Sequence, residues 1–303
     1  WSNLLKTIII FKPSVIVHTA SPRNLSSWLL ILISKILNIK LIGWSKINSD
    51  HEQDMIFKKK IKHFFYSNFK TLVVYGKKSL LELKKLNVNN TKIFIAYNTI
   101  DTNFYDRNPI FIRKNILKFK KKYSLDSTSN IFLCIGRMIN EKKQANIIDA
   151  WNLSNIDKKL SKLIFVGSGP NLLYVKSRKL LDDKSIIFVG NVPIGFDYVW
   201  LGISNFSIFG GALGLACQQS FLMKSLVIAP IENSVDSEFV KNEKNSILYN
   251  KNDIYQLTKI IENIVLSKNK IKNKNVIDEA YRYITIERSS NKMANQIVKA
   301  IKL

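Results

Sequence analysis

The sequence predicts an α/β protein built from two doubly wound parallel-sheet domains, and three observations carry that reading. Short apolar runs alternate with amphipathic stretches along most of the chain, the pattern of parallel strands joined by crossover helices. The alternation lapses between about residues 102 and 129 and then resumes. At 303 residues and 46% hydrophobic content, the chain exceeds what one core usually organises.

In chain order, "SVIVH" (14–18), "KLIGW" (40–44), "TLVVY" (71–75) and "KIFIA" (92–96) read as strands of the first domain. The lapse that follows holds Pro109, many charges and one basic helix-like stretch, which predicts a domain boundary. The second series is "IFLCIG" (131–136), "KLIFVG" (162–167), "SIIFVG" (185–190), "FSIF" (206–209), "SLVIA" (225–229) and "SILY" (246–249). Helical stretches are expected at 141–153, 170–182, 214–224 and 252–267, with an amphipathic tail over 274–303. Runs this uniformly apolar suit sheets covered on both faces. The resulting plan is a first domain over 1–110, a linker over 111–129, a second domain over 130–285, and a C-terminal helix over 286–303 returning to the first domain.

Composition narrows the function classes. The longest apolar candidate, "WLLILI" (28–33), falls far short of the roughly 20 residues that span a bilayer. Residues 1–12 lack the cleavage site of a secretory leader. Cys134 and Cys217 sit in apolar surroundings, which suits a reducing cytoplasm. His18, His51 and His63 show no metal-ligand spacing, and no Cys pair completes a zinc site. The net charge of +25 points to an anionic partner such as nucleic acid, a lipid headgroup surface or a phosphorylated substrate. Lysines spread over solvated faces account for it equally, because they run along the whole chain. No basic tract carries the interleaved aromatics of a single-strand binder.

The chemistry concentrates at strand ends in the second half. In "IFLCIGRMINEK" a strand ends at Gly136, and Arg137 and Lys142 follow in the turn before a helix. A guanidinium grips two phosphate oxygens in its planar fork, and an ammonium acts as a point charge beside them. Taken alone, the two are ordinary solvated loop cations. "FVGSGP" (165–170) and "FVGN" (188–191) also end strands in glycine, without forming a dinucleotide fingerprint or a Walker loop. In "FGGALGLACQQSFLMKSLVIAP" (209–230), Gly210, Gly211 and Gly214 precede a helix. Its first amides would form an anion nest, or the glycines would serve close packing alone.

The order of these turns resembles the donor-binding domain of retaining family 4 glycosyltransferases of the GT-B fold. The matching features are G-R-x-x-x-x-K, V-G-x-G-P, F-x-G, a glycine-rich loop opening a helix, and a V-I-A strand ending in Pro230. In the first half, "KPSVIVHTA" (12–20) and "KIFIAYNTIDTNFY" (92–105) resemble the family's K-P-D-V-V-H and N-x-x-D segments. The resemblance implies two Rossmann-like domains facing a cleft. It also implies transfer of a sugar, with retention, from a UDP- or GDP-sugar to a glycan or lipid-linked acceptor in surface polysaccharide or glycolipid synthesis. The nucleotide sugar is a substrate, and neither cofactor nor metal is implied. A cytoplasmic protein whose basic surface rests on an anionic inner leaflet would fit, and no nucleic-acid partner is expected.

By the same resemblance, Arg137 and Lys142 hold the donor diphosphate and stabilise the charge growing on it. Gly136, Gly167, Asn191, Val192, Gly211, Gly214, Leu215, Ala216 and Gln219 are candidate donor contacts. The amides near Gly214, Leu215 and Ala216 would take phosphate or sugar. This sequence departs from the family at two positions eight residues apart, where the usual glutamates are Gly211 and Gln219. A neutral Gln219 in place of a charged partner weakens donor binding by roughly tenfold. Glu238 could supply a carboxylate, or be an exposed acid at a helix start. On the acceptor side, Lys46 occupies the position of a usual histidine. His18, at a strand end, is a candidate catalytic group or a packed cap. The departing phosphate can itself deprotonate the acceptor. Because the chain opens at Trp1 without the family's first strands and glycine loop, its first domain is expected to be incomplete at the N-terminus. A catalytically silent GT-B relative and a basic nucleic-acid-binding protein are the rival readings; the second explains the charge but not the ordered glycine turns.

Overall fold

A computed structural model of the chain describes residues 2–47, 56–88, 93–125, 130–232, 234–266 and 274–302. It divides into two compact units, Trp1–Asn98 with Ser290–Leu303, and Thr99–Ser289.

The first unit holds a 4-stranded parallel sheet in the order β1 (Val15–Thr19), β2 (Lys40–Ser45), β3 (Thr71–Val74) and β4 (Ile93–Ile95). Successive side chains of a strand point to opposite faces, and the two faces are buried by different partners. Leu41 and Leu72 join Leu30, Phe65 and Leu83 from the crossover helices Leu25–Ile36, Ile56–Ser67 and Lys77–Lys85. Their neighbours Ile42 and Val73 face Met293, Ile297 and Ala300 of the helix Ser290–Lys302. The spacing of those three, i, i+4 and i+7, is the apolar stripe of one helix face. Coverage on both sides explains why β2 and β3 carry apolar residues on both faces.

The second unit is a 6-stranded parallel sheet. Its strands are β5 (Asn130–Ile135), β6 (Ser161–Val166), β7 (Ile186–Gly190), β8 (Phe206–Ile208), β9 (Leu226–Pro230) and β10 (Ser246–Tyr249). Their order is β10-β9-β8-β5-β6-β7. The chain therefore winds outward from β5 through β7, returns to β8 on the other side of β5, and winds outward again. Loops leaving β5 and β8 diverge at this switch point, which opens a crevice at the carboxyl ends of the strands. One face of the sheet buries Phe132, Trp151, Phe165 and Phe206. The other buries Leu133, Ile164, Val199 and Trp200.

Two segments differ from the sequence expectation. Much of the segment read as a linker is the helix Pro109–Lys122, whose first position suits proline. Phe119 stacks on Phe196 at 5.7 Å and Ile112 is fully buried, so this helix belongs to the second unit. Residues 126–129 of that expected linker lie outside the described residues. An unforeseen helix, Phe196–Ile203, follows Gly195, whose φ of +91° suits glycine. Its sequence "FDYVWLGI" is apolar at most positions and only 8 residues long, so a helix cannot be told from another buried segment there. The amphipathic tail comprises Lys274–Arg282, a π-helical turn Tyr283–Glu287, and Ser290–Lys302, the helix expected over 286–303.

Within the second unit, the Thr99 hydroxyl donates to the carbonyl of Arg288. Arg288 is buried, its guanidinium 4.8 Å from the centre of the Phe239 ring and 3.3 Å from the Glu238 carboxylate.

Candidate active site

The site grows out of four strand ends in the second unit. Gly136 follows β5 at φ +140°, a conformation side-chain-bearing residues avoid, and Gly167 follows β6 at φ +123°. The two glycines touch: a Cβ on Gly167 would lie 2.2 Å from the Gly136 carbonyl oxygen. Hydrogen bonds lock the turns together, Gly136 N–H to Val166 O at 3.0 Å, Met138 N–H to Ser168 O at 2.9 Å, and Gly167 N–H to Gly190 O at 2.8 Å. They border a cavity of about 530 Å³ lined by Gly136, Arg137, Gly167, Asn191, Val192 and Asp197, among others. Arg137 is exposed on this wall, and Gln144 Nε2 holds its backbone carbonyl at 3.0 Å.

Lys142 ends a 3-10 turn, Asn140–Lys142, and reaches the glycine loop after β8, where its Nζ donates to the Ala212 carbonyl at 2.7 Å. The loop lies flat against residues 141–143. Ala212 N–H donates to Glu141 O at 2.8 Å, and a Cβ on Gly211 would fall 2.2 Å from that same oxygen. Gly211 packs its backbone against that turn, and a side chain such as glutamate has no room there. A hypothetical Cβ on Gly214 would sit 3.3 Å from Lys142 Nζ, so the ammonium lies at the start of the helix Leu215–Leu222, whose first-turn amides carry partial positive charge. Leu215 is partly exposed at that start, and Ala216 packs into the core behind it. The Tyr249 hydroxyl braces the loop from β10 by donating to Phe209 O at 2.8 Å.

Cys134 and Cys217 lie buried close to Lys142. Burial pushes the Cys134 thiol up to about 12 and the Cys217 thiol higher still, with the nearby ammonium pulling each only part of the way back. Neither is a nucleophile near neutral pH.

Two candidate residues have other occupations. Gln219 Nε2 donates to Asp197 Oδ2 at 2.5 Å, so it meets the cavity through Asp197. Glu238 is not the exposed helix-start acid considered above: its side chain is 10% exposed and pairs with Arg288. Asp197 escaped the sequence reading because its helix did.

His18 and Lys46 belong to the first unit. Lys46 is exposed just after β2. His18, on β1, places Nε2 3.0 Å from the Ser27 hydroxyl. Burial lowers its pKa below the usual 6.5, so the unfolded chain takes up a proton that the folded chain resists. Stability should therefore fall as pH drops below about 6.5, down to the folded-state value. Melting curves between about pH 7.5 and 5.5 should show a steeper loss for the wild type than for His18→Gln; parallel losses would remove His18 as their source.

The family model for glycosyl transferases group 1 matches residues 115–283. The chain belongs to that family. The match takes in the turn with Arg137 and Lys142, the glycine loop and the switch point of the second sheet. No curated protein matches the glycosyltransferase chain in sequence. Among solved structures, HepE from Anabaena in complex with UDP-glucose is similar with a TM-score of 0.78 at 14% identity, covering 99% of this chain and 81% of HepE. A glycosyltransferase from Rickettsia africae is similar with a TM-score of 0.80 at 18% identity, covering 99% of this chain and 79% of that one. The lipopolysaccharide outer core galactosyltransferase WaaB follows at 0.68 and 12%, covering 100% and 79%. At these identities the likeness shows a shared fold, and that fold is GT-B. Among the described residues, no helix of this glycosyltransferase is long and apolar enough to cross a membrane.

Proposed function

We propose that this glycosyltransferase moves a sugar from a nucleoside-diphosphate sugar, with retention, to a glycan or lipid-linked acceptor. The observation that carries the reading is the pair of cations at the switch point, Arg137 on the cavity wall and Lys142 at the glycine loop. In this reading the two take the donor diphosphate among the carboxyl ends of the strands. HepE, which shares the fold, binds UDP and UDP-glucose, which favours a UDP-sugar here. In the proposed step the bond between the anomeric carbon and the β-phosphate oxygen breaks, and its electron pair passes to the phosphate. The acceptor hydroxyl attacks from the same face and gives its proton to the departing phosphate. Arg137 and Lys142 stabilise the charge growing on that phosphate, and losing one such positioned group typically costs about 3 kcal/mol of barrier.

A thermal-shift panel of UDP-, GDP- and ADP-sugars on the wild type and on Arg137→Ala tests this. One nucleotide class should raise the melting temperature, and the variant should lose most of that rise. Equal rises in both proteins would take Arg137 out of the site.

The neutral pair Gly211 and Gln219 favours one second reading, a GT-B relative that binds donor without turnover. Binding of a nucleotide sugar with neither transfer nor hydrolysis would decide for it. The acceptor's membrane setting is supported by the helix Ile56–Ser67, where Phe57 and Phe64, 69% and 59% exposed, accompany Lys58, Lys59 and Lys60. Apolar side chains among lysines suit an anionic lipid surface.

A further inference from the structure

We propose that the second unit makes its own contact with an anionic lipid surface, through the outer face of the helix Pro109–Lys122 and the turn at Ile194. This rests on the lipid-linked acceptor reading above and adds a surface separate from the helix Ile56–Ser67 of the first unit. One side of the helix Pro109–Lys122 is spent on packing, where Ile112, Ile116 and Phe119 meet the second unit's cores. At 3.6 residues per turn, Ile110, Lys114, Leu117 and Lys121 fall on the opposite side, flanked by Arg113 and Lys118. Ile110 is 82% exposed and Leu117 72%, and the four cations around them are exposed as well. The helix "PIFIRKNILKFKKK" contains no acid. Among the described residues, no ion pair engages Arg113, Lys114, Lys118, Lys120 or Lys121. Charge on this face is therefore left for a partner outside the chain.

A second segment extends the face. Ile194 is 98% exposed in the turn between β7 and the helix Phe196–Ile203. That turn lies against the start of the cationic helix, because a Cβ on Gly195 would sit 3.1 Å from the Phe104 ring and 3.7 Å from Phe111. Phe111 in turn packs edge-on against Phe196 at 5.1 Å. Apolar side chains exposed among cations are the pattern of an interfacial helix: the aliphatic groups enter the acyl boundary while lysine stems carry their ammonium groups to the headgroups. Lipid suits the face better than nucleic acid, since the groups at its centre are aliphatic and stack on no base. The position also serves the proposed reaction. Asn191 and Val192 of the same turn line the cavity, so a bilayer touching Ile194 would hold the donor site near the plane where a lipid-linked acceptor lies.

Flotation of the wild-type protein with vesicles of phosphatidylcholine, alone or mixed with phosphatidylglycerol, measures the contact. The wild type should float with the mixed vesicles and not with phosphatidylcholine alone, and added salt should weaken the binding. The triple variant Lys114→Glu, Lys118→Glu, Lys121→Glu should weaken it by about 100-fold or more, since each cation near such a surface contributes about fivefold. The triple variant Ile110→Ser, Leu117→Ser, Ile194→Ser should weaken it about tenfold and leave retention on a single-stranded RNA homopolymer unchanged. Every substitution is at an exposed side chain, and both variants should melt within about 2 °C of the wild type. Vesicle binding that neither variant weakens overturns this contact and leaves that of the helix Ile56–Ser67, which Phe57→Ser with Phe64→Ser would then abolish. Loss in the glutamate variant with full vesicle binding in the serine variant makes the face a general polyanion site, and the lipid assignment falls. No flotation of the wild type with mixed vesicles overturns the membrane setting and this proposal together, while nucleotide binding tests the donor reading separately.

Discussion

Arg288→Ala should lower the melting temperature of this glycosyltransferase by about 10 °C. The Arg288 side chain is 2% exposed and its partner Glu238 10%, so the pair is out of water. Removing one member of such a pair costs about 3 to 5 kcal/mol, because the other charge is left buried without its partner. In a unit of this size each kcal/mol moves the midpoint by about 2 to 4 °C. The same substitution removes the guanidinium from the faces of Phe239 and Tyr283, at 4.8 and 5.9 Å. The double variant Arg288→Met with Glu238→Gln removes both charges and should recover most of the loss. Calorimetric melts of the three proteins check this. A fall under about 2 °C for the single variant would class the pair with exposed ion pairs of little worth.

Gly211→Glu, the change that brings the loop closer to the usual family pattern, should destabilise the protein and abolish the nucleotide-induced rise in melting temperature. Its Cβ alone would sit 2.2 Å from Glu141 O and 3.0 Å from the carbonyl carbon of Lys142. The obstruction is backbone, which cannot swing aside as a flexible side chain would. The loop must therefore lift away, breaking the bond from Ala212 N–H to Glu141 O and the bond from Lys142 Nζ to Ala212 O. Overpacking of this kind costs about 3 kcal/mol, and it displaces the ammonium proposed to neutralise the donor. Thermal melts with and without the nucleotide sugar measure both effects. An unchanged midpoint with tighter donor binding would show that the loop accepts a side chain there, and that Gly211 is a lost ligand and not a packing requirement.

How much of this was legible depended on the range of the interactions involved. The strand ends at Gly136 and Gly167 announced themselves as local glycine punctuation, and Arg137 lies on the cavity wall they border. Lys142 could be named from the sequence, but its engagement with Ala212, 70 residues on, could not. Gln219 and Glu238 were plausible ligands by position along the chain. Their contacts with Asp197 and Arg288 join segments that meet only after folding. The boundary expected near residue 110 was placed by Pro109 and a run of charges. The break between units falls after Asn98 because Ile100 and Ile112 are buried with the second unit's core.

By itself, the sequence determined the parallel α/β class, every strand of the two sheets, and the turn that carries both cations. Each of these follows from apolar runs, glycines and charges read over a few neighbouring residues. Only the tertiary structure decided that the winding of the second sheet switches from one side of β5 to the other at β8, that Gly211 has no space for a side chain, and that the cavity's acid is Asp197. Those properties belong to pairs of segments far apart in the chain, and nothing within either segment alone specifies the distance between them.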